Sequence, residues 1–310
     1  MQSRLIPITI AGMICFATAF ILGAGFWYFF GTRQRPTVEN NTILQTSNQT
    51  NNQNSVETIS NTGNLNAAPS AAPTVTPEAK KAPAGEIKIP GGESIIGGEV
   101  LRGSETALNL PLRRTSVADF AIAETEVTNS QYAEFIEATR HQTPDGWKDG
   151  KFLPGTADEP VVGVTWSDAN DYCKWLSNEL GATVRLPSEA EWKRAARGAS
   201  DYKYPWGNEW NDEAAQSIET KGKLRSVKSF PAGRSPSGVY EMVGNVWEWT
   251  SDLVVDEFKK PVLFENFKQR IIKGGSAIDK QKDLTIDVSA ARPEGRASPW
   301  LGFRYVIIRK

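Results

Sequence analysis

The stretch GVYEMVGNVWEWTSD, residues 238–252, sets two tryptophans around a glutamate after a glycine-bearing turn. It carries no sustained helical or strand period, and much of the chain after residue 86 reads the same way. Outward from it, three segments do carry helical spacing. In SDANDYCKWLSNEL, residues 167–180, Ala169, Tyr172, Cys173 and Leu176 form one apolar stripe, with Ser167 or Asp168 as the expected N-cap. In PSEAEWKRAARG, residues 187–198, Ser188 and Glu191 have capping-box spacing and Gly198 ends the run. In TNSQYAEFIEAT, residues 128–139, Thr128 is the cap and Gln131 the third position. Short strands are expected in FAIAETEV (120–127), RIIKGG (270–275) and GFRYVIIRK (302–310). Few helices, many Gly and Pro and nine of the ten Trp in residues 86–310 predict one loop-rich α+β domain of about 225 residues. There is no internal repeat. In such a fold the Trp residues first supply buried core area.

The N-terminal third has a different composition. Residues 1–4 are a short tail. Residues 5–30 contain no charged side chain, and about 20 apolar residues cross a bilayer as a helix. A cleavable signal has a shorter apolar run of about 7–15 residues, so the segment reads as an uncleaved transmembrane anchor with Cys15 inside it. Trp27, Tyr28, Phe29 and Phe30 suit an interfacial aromatic belt. Arg4 on one side and Arg33 and Arg35 on the other leave the orientation open; the composition of the chain beyond residue 30 points to an extracytoplasmic domain. Residues 31–85 are Asn/Thr-rich, then Ala/Pro-rich, and have too little apolar surface to order themselves. As a flexible coil, about 50 residues span roughly 40 Å, enough to hold a domain off a membrane.

Composition excludes several chemistries. A net charge of −1 argues against bulk binding to nucleic acid. One histidine, His141, cannot build a multi-histidine iron or zinc centre, and in a loop with Pro144 and Gly146 it reads as solvated. Two cysteines cannot build a disulfide framework. No Gly-rich phosphate loop and no Ser-His-Asp order is present.

Eight blocks, in order, resemble the formylglycine-generating enzyme (sulfatase-modifying factor) family: IPGGESIIGG, ETEVTNSQYAEFI, PVVGVTWSDANDYCKWLS, RLPSEAEWKRAARG, YPWGN, GVYEMVGNVWEWTSD, IIKGGS and AARP…LGFRYV. The resemblance covers residues 89–308 and implies a fold related to C-type lectins. It implies several activities, since the family includes copper-dependent oxidases, non-haem iron enzymes and members with no known chemistry, and fold does not set function.

In the copper-dependent oxidases two thiolates follow the GGS turn, one three residues past the Ser and the other five further on. After Gly274, Gly275 and Ser276 those positions are Asp279 and Leu284. Thiolates are the soft ligands that select Cu(I), and Leu284 has no ligand atom, so neither copper nor iron is expected. Calcium, which takes six to eight oxygens, is the metal the residues leave open. The resemblance places it at Glu126, Gly244, Val246 and Glu248, with Glu241 where the family often has Asn. The alternative is that Glu126 and Glu248 are satisfied by Arg or backbone donors. Trp247 and Ser276 match residues lining the family's pocket. Together these imply a membrane-tethered, non-catalytic domain that binds a peptide, glycan or partner protein; the alternative is a divergent oxidase or an accessory maturation factor.

Overall fold

Capping boxes set where the helices begin. The computed structural model describes residues 82–102, 105–255 and 259–309. Helix α1 (Asn129–Thr139) starts after Thr128, whose Oγ1 accepts from the Gln131 amide while Gln131 Oε1 accepts from the Thr128 amide. Helix α2 (Trp166–Leu180) begins earlier than expected: its cap is Thr165, not Ser167 or Asp168. The box explains the shift. Thr165 has an acid three residues on, Asp168, whose carboxylate accepts from the Thr165 amide at 2.8 Å, whereas Ser167 has Asn170 there. Helix α3 (Glu189–Arg197) has the Ser188–Glu191 box and ends at Gly198, as its sequence predicts.

Eleven strands occur among the described residues: β1 (Ile87–Ile89), β2 (Gly92–Arg102), β3 (Glu105–Val117), β4 (Phe120–Ile122), β5 (Thr183–Arg185), β6 (Trp247–Leu253), β7 (Leu263–Phe264), β8 (Phe267–Lys273), β9 (Ser289–Pro293), β10 (Leu301–Gly302) and β11 (Val306–Ile308). A four-stranded antiparallel sheet has the order β1-β4-β11-β5. A second sheet runs β10-β6-β8-β9-β2-β3, with β7 on β8. Its β10–β6 and β2–β9 pairs are parallel and the rest antiparallel. The long β2–β3 hairpin was not legible in the sequence, because bulges near Ile96–Gly98 break its alternation. Gly97, at φ 89°, lets the strands close there; a Cβ would lie 2.3 Å from the Pro111 carbonyl oxygen.

Two of the expected strands are interrupted. Residues 120–127 keep ladder pairing only over Phe120–Ile122. Beyond it, Ala123 and Val127 donate their amides to the Tyr305 and Phe303 carbonyls. Residues 302–310 are split into β10 and β11, and the bend at Phe303–Tyr305 turns Arg304 into the interior, where it is fully buried.

The core has two main parts. One joins α1 and α2 through Tyr132, Phe135, Tyr172 and Phe303; the Tyr132 and Tyr172 rings stack at 5.8 Å. The other lies around Trp192, Met242, Leu284 and Ile286. Trp192 and Trp249 are wholly buried, and Trp147, Trp166, Trp175, Trp206, Trp210 and Trp247 pack against the two clusters, so these eight Trp residues serve as core. Ala82 and Ala84, in the segment assigned to the linker by composition, are also buried, and the Ala84 amide donates to Tyr305 Oη. The anchor expected at residues 5–30 and the spacer over residues 31–81 lie outside the described residues. Among the described residues no helix is long and apolar enough to cross a membrane.

Candidate functional site

The GGS turn leaves β8 with Gly274 at φ 95° and Gly275 at φ 72°, a backbone that suits glycine. It is held against the VGNVWEW turn by two main-chain bonds of 2.9 Å, Gly244 N to Gly274 O and Ala277 N to Asn245 O. The structure brings Trp247, Ser276 and Asp279 together on this face. A single oxygen, Asp279 Oδ2, accepts from Ser276 N at 2.8 Å, Ser276 Oγ at 2.7 Å and Trp247 Nε1 at 2.9 Å. The Asp279 carbonyl accepts from Ile218 N. Leu284, the second residue the resemblance singled out, is fully buried. A Cβ added at Gly275 would lie 2.2 Å from Leu284 Cδ2 and 3.9 Å from Asp279 Oδ2, so both side chains close on the same glycine. At the two positions the resemblance singled out there are thus a carboxylate with an internal hydrogen-bond set and a packed alkyl group, neither of them a soft ligand. Cys173 cannot substitute. It is buried on α2, burial pushes its thiol pKa far up, and thiolate is the reactive form.

Directly beneath is a buried charged centre. Arg304 holds Glu248 with two bonds, Nε to Oε2 at 2.7 Å and Nη2 to Oε1 at 2.8 Å. Trp192 Nε1 donates to Glu248 Oε2 at 2.9 Å. Glu126 Oε2 is 3.9 Å from Arg304, and Glu126 Oε1 accepts from Asn245 Nδ2 at 3.1 Å. Glu241, forced to φ 49° by the turn, is the third carboxylate. Three buried carboxylates thus face one guanidinium. Burial, reinforced by the neighbouring Glu241, pushes Glu126 well above the usual carboxylate range. Burial likewise carries Glu241 up to about 7, against the opposing pull of the Lys228 amide and Arg304. Arg304 was missed by sequence reasoning; its signal is a single cation inside the apolar run LGFRYV.

The centre fits the expected cation in part. Glu126 Oε2 and both Glu241 oxygens are buried without a hydrogen-bond partner of good geometry, although the Lys228 and Phe230 amides still pull the Glu241 carboxyl downward, so these are the oxygens a cation would use. Glu248 does not fit, because Arg304 holds both its oxygens. Among the described residues no three His, Cys, Asp or Glu side chains converge as a metal cage. His141 is not solvated as expected. Its side chain is 18% exposed, packs on Phe135, and sits 3.6 and 3.5 Å from Asp168 and Asp171, which flank it on α2.

A loop-rich α+β scaffold with adjoining GGS and VGNVWEW turns defines a class rather than an activity. The chain belongs to the family of the sulfatase-modifying factor enzyme 1-like domain, which matches residues 71–309. It is 30% identical over 236 residues to a protein named serine/threonine-protein kinase Pkn1 from Chlamydia trachomatis, a match covering 68% of this chain but only 37% of that protein. It is 30% identical to a formylglycine-generating enzyme of Streptomyces coelicolor, covering 60% of this chain and 75% of the relative. An inactive C-alpha-formylglycine-generating enzyme 2 of Mus musculus is 28% identical, covering 62% and 74%. The solved structure of PvdO from Pseudomonas aeruginosa shares the fold, with a TM-score of 0.59, 24% identity and coverage of 74% of this chain and 96% of that one.

Proposed function

We propose that this chain is a non-catalytic member of its family, a binding domain that presents the face made by the GGS and VGNVWEW turns to a peptide, glycan or partner protein. The observation that carries the reading is the Asp279–Leu284 pair. Asp279 ties Ser276 and Trp247 into one hydrogen-bonded unit, and Leu284, at the position where the family resemblance would put a second thiolate, is buried against Gly275. Cu(I) has no soft donor there. That a mouse relative is named inactive is in keeping with this reading. Residues 5–30 would tether the domain to a membrane, with the Asn/Thr- and Ala/Pro-rich segment as spacer and the domain on the extracytoplasmic side.

Calcium, if bound, would be held by Glu126 and Glu241 with main-chain oxygens of Gly244 and Val246, Glu248 being reserved for Arg304. It would supply charge balance to the buried carboxylates and no redox chemistry. What the residues themselves do is positional: Arg304 and Trp192 fix Glu248, and Asn245 fixes Glu126, so the turn carrying Trp247 has one geometry. The test is to incubate the purified full chain with Cu(I), oxygen and a cysteine-bearing sulfatase-type peptide and to analyse the peptide by mass spectrometry. No formylglycine is expected above the no-protein control. Catalytic turnover to formylglycine would refute the reading, and stoichiometric copper in the purified protein would count against it.

A further inference from the structure

A second cluster of buried charge lies between the β2–β3 hairpin and α3. Lys193 and Arg197 are one helical turn apart on α3, so both side chains leave the same face. They converge on one carboxylate: Lys193 Nζ is 2.6 Å from Asp287 Oδ1, and Arg197 Nη2 is 2.7 Å from Asp287 Oδ2. The two sides of this arrangement differ in burial. The Lys193 and Arg197 side chains are 4% and 16% exposed, while Asp287 is 59% exposed. The cations are built into the wall, and the anion sits on the solvent side of them. Behind them the fully buried Lys273 donates to Ser289 Oγ at 2.8 Å and to the Asp287 carbonyl at 3.3 Å, and lies 3.9 Å from Glu189. Three basic side chains therefore share two carboxylates, and the Arg197 Nε is buried without a partner. Buried charge needs a counter-charge, and here the exposed Asp287 supplies it.

The same residues line a groove of about 520 Å³ whose opposite wall is the hairpin, with Ile95, Leu101 and Leu112 exposed at 38%, 37% and 71%. A carboxylate-binding pair facing an aliphatic wall suits a peptide, which offers both groups at fixed spacing. Glu99, Lys282 and Asp283 also line the groove, so with Asp287 the acidic and basic side chains balance and the lining does not suit a polyanion. We propose that this groove is a peptide-binding site in which a partner's Asp or Glu displaces Asp287 from Lys193 and Arg197, while a neighbouring aliphatic side chain packs on Ile95, Leu101 and Leu112. Asp287 is the intramolecular stand-in for the ligand carboxylate. The groove shares no lining residue with the Asp279 face, and the proposal stands whether or not that face binds anything.

The probe is acetyl-Leu-Asp-Leu-amide, with acetyl-Leu-Asn-Leu-amide and acetate as controls, titrated into the full chain and followed by methyl chemical shifts of Ile95, Leu101 and Leu112. In the Asp287→Asn chain the Asp peptide is expected to bind at least tenfold tighter than in the unaltered chain. It should bind at least tenfold tighter than the Asn peptide, and a further Arg197→Gln change should abolish that preference. Equal binding of the two peptides, or unchanged affinity in a folded Asp287→Asn chain, would overturn the proposal. Displacement by acetate as effective as by the peptide would overturn the peptide assignment. Should Asp287→Asn fail to fold, the unaltered chain at millimolar peptide decides: shifts confined to the groove methyls with the Asp peptide alone support the site, and their absence overturns it.

Discussion

Replacing Arg304 by Met removes a charge of similar side-chain length from the centre of the molecule. Arg304 is wholly buried, and among the described residues it is the only cation paired with both Glu248 and Glu126. Without it, Glu248 keeps a single donor, Trp192 Nε1 at 2.9 Å, and the Tyr240 carbonyl loses its 2.9 Å bond. Glu248 then has no counter-charge, and Glu126 and Glu241 lose the cation that opposes the rise burial causes in their pKa values. Breaking a buried ion pair by removing one partner costs about 3–5 kcal/mol, a large part of the roughly 5–15 kcal/mol that holds a domain folded. At about 2–4 °C per kcal/mol for a domain of this size, the melting temperature should fall by about 6–20 °C.

Urea unfolding of the full chain, followed by tryptophan fluorescence, measures the loss as a lower midpoint at unchanged slope. Changing Glu248 to Gln in the same chain removes the stranded charge and should recover at least ~1 kcal/mol, because the penalty belongs to the unpaired ion rather than to the lost bond. If Arg304→Met costs less than ~1 kcal/mol, or if Glu248→Gln in that background recovers nothing, the charged centre is not what holds the two turns and the reasoning is refuted.

Asp279→Ala strands Ser276 N and Oγ and Trp247 Nε1, and should cost about 1–3 kcal/mol with a change in Trp247 emission; a loss under ~0.5 kcal/mol would show that Asp279 is incidental. Gly244→Ala places a Cβ 2.2 Å from the Gln216 carbonyl oxygen at φ 82° and should cost about 2–4 kcal/mol from backbone and overlap together, read as a lower urea midpoint. The pH dependence has two limbs. Glu241 has a folded pKa raised to about 7 from 4.5, so its contribution is fully present below pH 4.5 and is lost as pH rises through 7. Lys273 has its folded pKa lowered to about 7 from 10.5 by burial, so its contribution is present above 10.5 and is lost as pH falls through 7. Stability in excess chelator should therefore fall as pH rises from 4.5 to 7, with the raised Glu126 acting in the same direction, and the Lys273 contribution should rise between pH 7 and 10.5; Glu241→Gln should make the acid limb shallower and Lys273→Met the alkaline one. Millimolar calcium should raise the melting temperature at pH 7 in the unaltered chain and not in Glu241→Gln; no shift in either would remove the calcium assignment.

The parts of the fold legible in the sequence are those governed by neighbours in the chain. The boxes at Thr128 and Ser188 and the stripe through Tyr172 and Cys173 all lie within a few residues of one another, and each is found in the structure. The cap of α2 was misplaced by two or three residues because Ser167 and Asp168 are also capping types, and only the spacing to Asp168 selects Thr165. What could not be read is long-range. The Arg304–Glu248 bond spans 56 residues, Asn245 to Glu126 spans 119, and the β2–β3 hairpin conceals its register behind bulges. The Asp279 position was legible as a departure from the family pattern, but its three bonds were not, since Trp247 lies 32 residues away.

The placement of these bonds explains how the scaffold persists without a thiolate pair. The GGS and VGNVWEW turns are fixed from below by Glu248, Arg304, Trp192 and Asn245, none of which is a thiolate position. On the upper side, Asp279 supplies an acceptor to Ser276 and Trp247, and Leu284 adds its side chain to the second core cluster. Both residues are absorbed by bonds and packing internal to the domain, so Asp279 and Leu284 serve the fold. A double change to Cys at these two positions would exchange three hydrogen bonds and a packed leucine for two thiols. The scaffold beneath would be unaltered, so the change should lower stability while leaving the Arg304 centre, and with it the geometry of Trp247, in place.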